Sequence, residues 1–295
     1  DVSMYHSKKT GPGGYCFYKT EMNELVHKRL EIENILRGAQ DRNEFKLVYQ
    51  PQVNLSTNKI IKAEALLRWH NPQLGDVSPA VFIPIAEEIG LINQIGRFVI
   101  SQACSQLANW KQAGLTDLTI SVNISSSHLL DVGLTDFIKQ EVARAELKFT
   151  QLEIEITEEV FLEHSESTIA VLKKLQSLGI KIAIDDFGTG YSSLQYLKTL
   201  PVNTLKLDGM FVQDLNENFA SQGIAASTII LAHSLNMQIV AECVETQAQL
   251  TFLKDRNCDL IQGYFFYKPL TPNELYKVTI DTFKHHNSSD VFNIA

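Results

Sequence analysis

The chain has 295 residues and is 44% hydrophobic, enough to bury a core of its own without a disulfide framework or a structural metal. Its formal charge of -8 argues against electrostatic binding to nucleic-acid duplex, and no apolar run approaches the roughly eighteen residues that a membrane helix needs. Cys16, Cys104, Cys243 and Cys258 are far apart with no CxxC pairing, which argues against a zinc site and for a reducing, cytoplasmic setting.

Residues 1–18 show no helix start signal and turn through GPGG, like the severed tail of another domain. Helical periodicity follows from about 21 to 40, with Met22, Leu25, Val26, Ile32, Ile35 and Leu36 on one side. FKLVYQPQV (45–53) and KIIKAEALLRW (59–69) predict a pair of strands joined by a polar NLSTN turn. A helical stretch at 79–113 then gives way to LTISVN (118–123). After it come QLEIEIT (151–157), IKIAIDD (180–186), NTLKLD (203–208), MQIVAE (237–242) and CDLIQG (258–263), most of them separated by helical periodicity. Cys104 falls in an apolar helical stripe and reads as a buried structural thiol. The closing KHHNSSDVFNIA is a polar tail whose His285 and His286 read as solvated.

Short apolar strands alternating with helices predict parallel βαβ units. Seven or eight units fit a closed (β/α)8 barrel of the TIM type, with an antiparallel irregularity near the start, better than an open doubly wound sheet. No GxGxxG or GxxxxGK[ST] follows any strand, so the usual nucleotide-cradling loops are absent.

The strands end in Glu64, Asn123, Glu155, Asp185 with Asp186, Lys206, Glu242 and Gln262. A single acid at a strand end is ordinarily solvated or caps the next helix. A parallel barrel instead brings the whole set to one rim, where hard divalent cations could be held by oxygen ligands from several strands. Glu64 and Glu155 sit inside apolar runs, where an unpaired carboxylate would cost several kcal/mol, so compensating positive charge is required. The neighbouring Asp185 and Asp186 make the same demand, and an Asp pair can bridge two metals. Lys206 could form a Schiff base or orient a water beside phosphate; a ring of carboxylates keeps the ammonium charged and favours the second. Arg68, four residues after Glu64, is a candidate phosphate fork or a surface ion pair.

EALLRW at 64–69 resembles the signature of EAL-domain phosphodiesterases, and YQPQV, FIPIAEEIGLI, VNIS, EITE, DDFGTGYSSL, LKLD, AECVE and IQGYFF follow in that family's order. The resemblance covers about residues 45–275 and implies a modified TIM barrel, α/β in class, occupying 45–283 behind a linker helix at 19–44 and ahead of the tail at 284–295. It implies hydrolysis of cyclic di-GMP to linear pGpG, by in-line attack of a metal-bound water, with Mg2+ or Mn2+, two per active site. Glu64, Asn123, Glu155 and Asp185 would hold one metal, and Asp185, Asp186 and Glu242 the second. Glu64, Lys206 and Glu242 would act in catalysis, with Lys206 on the water. Gln50, Arg68 and Gln262 match substrate-contact positions, Glu158 matches the residue that anchors the DDFGTGYSS loop, and Glu245 a supporting carboxylate.

Residues 1–18 resemble the end of a GGDEF domain, so the resemblance also implies upstream GGDEF-like and sensory domains, a longer protein whose membrane attachment stays open, and a homodimer. One position departs from the pattern: Cys243 stands where the family usually has glycine. Two other functions remain in view, a cyclic di-GMP receptor without turnover and, more remotely, a barrel aldolase acting through Lys206.

Overall fold

A computed structural model describes residues 20–162, 166–190 and 197–285. Residues 1–18, the tail beyond 285 and part of the DDFGTGYSS loop lie outside the described residues. The chain divides into two compact units, residues 47–67 with 93 onward, and the remainder up to residue 92.

The nine strands among the described residues are β1 Phe45–Asn54, β2 Lys59–Asn71, β3 Gly75–Val77, β4 Thr119–Asn123, β5 Leu152–Thr157, β6 Lys181–Phe187, β7 Thr204–Leu207, β8 Gln238–Ala241 and β9 Leu260–Ile261. Eight of them close into a barrel in the order β1-β9-β8-β7-β6-β5-β4-β2, with β1 and β2 paired to seal the ring. Neighbours from β2 through β9 run parallel, while β1 meets β9 antiparallel. The expected closed barrel and its one reversed strand are therefore both present.

Period-two alternation explains why the barrel strands are buried on both faces. Ile120, Val122, Ile154, Ile182, Leu205 and Ile239 form one buried set. The alternate positions, Ser121, Glu153, Glu155, Thr204 and Lys206, are equally buried but polar. Between the strands run the helices Leu134–Arg144, Glu166–Ser177, Phe219–Ser234 and Gln247–Asp255, whose buried positions include Ile138, Leu172, Ile229 and Leu253. Register breaks once, between Ile184 and Phe187, where Asp186 adopts a left-handed φ of 54°. This bulge sits at the Asp185–Asp186 pair.

The helical stretch expected at 79–113 is two helices, Pro79–Glu88 and Ile92–Gln112. Gly90, at φ 73°, supplies the left-handed residue that ends the first, which is why the apolar pattern alone ran through the break. The amino-terminal helix spans Thr20–Leu36, shorter at its end than the periodicity suggested.

In the other unit, the Phe45, Trp69 and Phe82 rings pack with centroids 5.5 to 6.2 Å apart. Glu44 ties the segments beneath them, accepting from Arg42 Nε at 2.6 Å, Trp69 Nε1 at 2.9 Å and Asn71 Nδ2 at 3.0 Å. The short β3, which the sequence did not signal, pairs antiparallel with the end of β2.

Candidate active site

Lys206, on β7, is 1% exposed and lies among four carboxylates. Its Nζ is 2.7 Å from Glu155 Oε2, 2.8 Å from Asp185 Oδ1, 2.8 Å from Glu242 Oε1 and 3.4 Å from Glu64 Oε2. These acids come from β5, β6, the residue after β8, and β2. A parallel barrel brings them together although, against the expectation from sequence, they do not all close their strands: Glu64 lies midway along β2, Glu155 and Asp185 two residues before the ends of β5 and β6, and Glu242 directly after β8. Glu64 also accepts from Asn123 Nδ2 at 2.6 Å and from Gln262 Nε2 at 2.6 Å. Gln262 Nε2 donates as well to Gln50 Oε1 at 3.3 Å, and its Oε1 accepts from Gln52 Nε2 at 2.8 Å.

The electrostatics follow from having more acids than one lysine can balance. Burial opposes charge on Lys206, but Asp185, Glu155, Glu242 and Glu64 outweigh it and hold the ammonium well above its usual range. Burial also works against Glu64, where Lys206 and the two amides prevail and keep it ionised below the usual carboxylate range. The other acids lose that contest. Burial, with the charges of Glu64, Asp185 and Glu153, drives Glu155 well above its ordinary value despite Lys206. Burial raises Glu242 to about 8 against the pull of Lys206, and burial together with Asp185 and Asp208 raises Asp186 to about 6.

Two sets of oxygens could each hold a cation: one from Glu64, Glu155 and Asp185, another from Asp185, Asp186 and Glu242, each set lying within 4.8 Å of one another. Glu155 Oε1 is buried and has no hydrogen-bond partner among the described residues, although Oε2 is engaged by Lys206. An orphaned carboxylate oxygen, carboxylates pushed upward by mutual repulsion, and a donor set made entirely of oxygen all fit a hard divalent cation.

Asp185 and Asp186 are spread by the bulge, and Asp186 N donates to Asp185 Oδ1 at 3.1 Å. Glu158 follows β5; its Oε2 accepts from the amides of Gly188 at 2.9 Å and Gly190 at 3.4 Å, so it grips the start of the DDFGTGYSS loop. Beside Gln262 the segments that follow β8 and β9 lie close together, Val244 N donating to Gln262 O at 3.1 Å. A Cβ on Gly263 would lie 2.2 Å from Val244 O, so only glycine permits this approach.

A cavity of about 320 Å³ opens over the cluster, lined by Gln50, Glu64, Asp185, Glu242, Cys243, Glu245, Gln262, Gly263 and Tyr264. Glu245 is thus at the rim rather than among the clustered acids. Arg68 is half-buried on β2 and belongs to the other compact unit.

Two participants carried a weaker signal. Gln52 sits in YQPQV two residues from Gln50, and alternation places both on one strand face. Asp208, the last residue of NTLKLD, accepts from Met210 N at 2.7 Å to cap the helix Gly209–Gln213, and its carboxylate beside Asp186 helps push that acid upward. Cys243 has a left-handed φ of 52°, a conformation that glycine adopts most readily, so the thiol-bearing residue stands where backbone geometry favours glycine. Its thiol lies against Gly209, where an added Cβ would be 2.5 Å from Sγ.

Residues 33–269 match the family model of the EAL domain. The chain is 39% identical over 275 residues to the bifunctional diguanylate cyclase/cyclic di-GMP phosphodiesterase MucR of Pseudomonas aeruginosa, covering 93% of this chain and 40% of that protein. It is 35% identical over 270 residues to the cyclic di-GMP phosphodiesterase PdeR of Escherichia coli, covering 92% and 40% respectively. The chain thus spans about two fifths of the length of these relatives. Among solved structures, the MucR phosphodiesterase in complex with c-di-GMP superposes with a TM-score of 0.80 at 39% identity, covering 83% of this chain and 99% of that one. The FimX EAL domain of Pseudomonas aeruginosa bound to c-di-GMP gives 0.75 at 31% identity, covering 81% and 96%. With the barrel, the reversed first strand and the acid-ringed lysine all in place, the chain belongs to the EAL domain family.

Proposed function

We propose that the barrel is a metal-dependent phosphodiesterase that hydrolyses cyclic di-GMP to linear pGpG. The observation that carries this reading is Lys206 held charged among Glu64, Glu155, Asp185 and Glu242, beside two oxygen sets suited to divalent cations. In this reading Glu64, Asn123, Glu155 and Asp185 hold one Mg2+ or Mn2+ ion, and Asp185, Asp186 and Glu242 the other. Such ions, when bound, would neutralise phosphate charge and make water a better nucleophile.

The side chains do the rest. Lys206 cannot act as a base while charged, so it donates, orienting the attacking water in line with the scissile P–O bond and opposing the developing negative charge. Gln262, and through it Gln50, keeps Glu64 turned toward the cluster while offering amide groups to the substrate rim. Glu158 restrains the loop that carries Asp186, and Glu245 supports the rim. Arg68 contacts the substrate in this reading.

The relatives' names support the substrate, and their greater length supports a parent protein with further domains. We assign residues 1–18 to the end of a GGDEF-like domain, 19–44 to a linker helix, 45–283 to the barrel and 284–295 to a tail, with a homodimer as the working assembly. Three free cysteines among the described residues suit a reducing cytoplasm, and among those residues no helix is long and apolar enough to cross a membrane.

Incubation of the chain with cyclic di-GMP and Mg2+ should yield linear dinucleotide, and Glu64→Ala should remove turnover. Tight binding with the nucleotide left intact would instead make the barrel a receptor and sink the hydrolytic reading.

A further inference from the structure

Beneath the acid ring lies a second polar layer inside the barrel. Lys62 Nζ is 2.6 Å from Glu153 Oε1, and Thr204 Oγ1 donates to Glu153 Oε2 at 3.1 Å. Side-chain exposure is 3% for Lys62 and 1% for Glu153. Each of the three precedes a residue of the site by two positions on its own strand: Lys62 before Glu64, Glu153 before Glu155, Thr204 before Lys206. Period-two alternation therefore puts each on the same lumenal face, one level deeper. The corresponding residues on β6, β8 and β9 are Ala183, Val240 and Leu260, all buried, so the deeper layer is a tie between chosen strands rather than a second ring. Ser121 on β4, at the level of Glu153, has a buried hydroxyl with no partner among the described residues.

β5 and β7 are not neighbours in the barrel, because β6 lies between them, and β4 lies between β2 and β5. Glu153 thus reaches across the lumen to hold strands that backbone hydrogen bonds do not join. A buried ion pair contributes little net stability over apolar residues of similar volume, so stability alone does not account for it. Precise spacing of the groups above it does. Two oxygens of Glu64 and Glu155 must fall within reach of both Lys206 and a cation, and strand displacement would separate them.

Resting on the phosphodiesterase reading, we propose that Lys62, Glu153 and Thr204 are positioning residues that set the spacing of Glu64, Glu155 and Lys206 for cation binding and turnover. Lys62 supplies the counter-charge that lets Glu153 serve as the cross-lumen brace.

The test replaces the pair in the full chain with apolar residues, Lys62→Met with Glu153→Leu, which leaves no buried charge unpaired. Mn2+ affinity is measured by electron paramagnetic resonance, unfolding is followed without divalent metal, and turnover is measured separately. The expected result is a metal-free unfolding midpoint at or above that of the unaltered chain, Mn2+ affinity weaker by about ten-fold or more, and a lower kcat with little change in KM. Thr204→Val, which removes only one contact, should shift Mn2+ affinity in the same direction by less. A folded double variant with unaltered Mn2+ affinity and kcat would overturn the proposal; if that variant fails to fold, unaltered affinity in Thr204→Val would do so. Lack of hydrolysis by the unaltered chain would count against the phosphodiesterase reading alone, since the Mn2+ comparison needs no turnover.

Discussion

Two residues of the site hold left-handed backbone without being glycine, Asp186 at φ 54° and Cys243 at φ 52°. Aspartate enters that region more readily than most residues, and here the Asp186 backbone amide is also held by Asp185 Oδ1. Cysteine has no such help and bears a strain of about 1–2 kcal/mol. Its thiol lies against Gly209, at the turn where Asp208 caps a helix and meets Asp186. Gly209 itself is not left-handed, so a methyl there is excluded by the thiol and not by its own φ. Gly209→Ala should therefore destabilise the chain, whereas the same change in a Cys243→Gly background should cost much less. A double-mutant cycle by urea denaturation should give a coupling of about 1 kcal/mol or more. Additive effects would show that the contact is not energetically real.

At the scale of elements, the parallel strands were legible because their buried faces are continuous runs of Ile, Val and Leu bounded by helical periodicity. Their polar ends were legible for a related reason: Glu64 and Glu155 interrupt apolar runs where nothing but function or pairing excuses a charge. Lys62 was not legible, because in KIIKAEALL a lysine two residues before a buried glutamate looks like an ordinary outward-facing polar residue. Its partner is ninety-one residues away on β5, and only closure of the barrel brings them together. The break at Gly90 and the three-residue β3 were likewise hidden, the first by a continuous apolar pattern and the second because so short a strand is defined by its neighbours. Glu44 was missed too, although it holds Arg42, Trp69 and Asn71 at the junction of two strands. Those donors, Arg42 foremost, lower its carboxyl from 4.5 to about 2. A depressed folded value means that its contribution is complete above the unfolded value and is lost as pH falls from 4.5 through 2. Glu44→Gln should accordingly flatten this part of the acid-stability profile; urea midpoints compared at pH 5 and pH 3 should fall less in the variant than in the parent.

For the molecule as a whole, the acid cluster makes stability a function of both metal and pH. Burial and mutual repulsion raise Asp186 to about 6 and Glu242 to about 8, so the folded, metal-free chain holds protons there that the unfolded chain releases near its ordinary carboxylate values. With more protons bound in the folded state, the contribution of these groups declines as pH rises from about 4 through 8. A divalent cation reverses the balance by favouring the ionised carboxylates that the bare fold disfavours. On the proposed assignment a cation would bind the folded chain alone, because the carboxylates of the two oxygen sets come from four different strands or strand ends. At a hundred-fold excess over its Kd such a ligand adds about 2.7 kcal/mol, which for a domain of this size raises the unfolding temperature by about 5–10 °C. Thermal unfolding with and without Mn2+ should show that shift at pH 8.5, with a smaller one at pH 6 where protons compete. Glu64→Ala should shrink the shift at both pH values by withdrawing an oxygen from one set while leaving Asp185, Asp186 and Glu242 to hold the other. A shift equal at both pH values would mean that the carboxylates of the barrel rim are already ionised in the bare fold, and that repulsion among them does not govern cation binding.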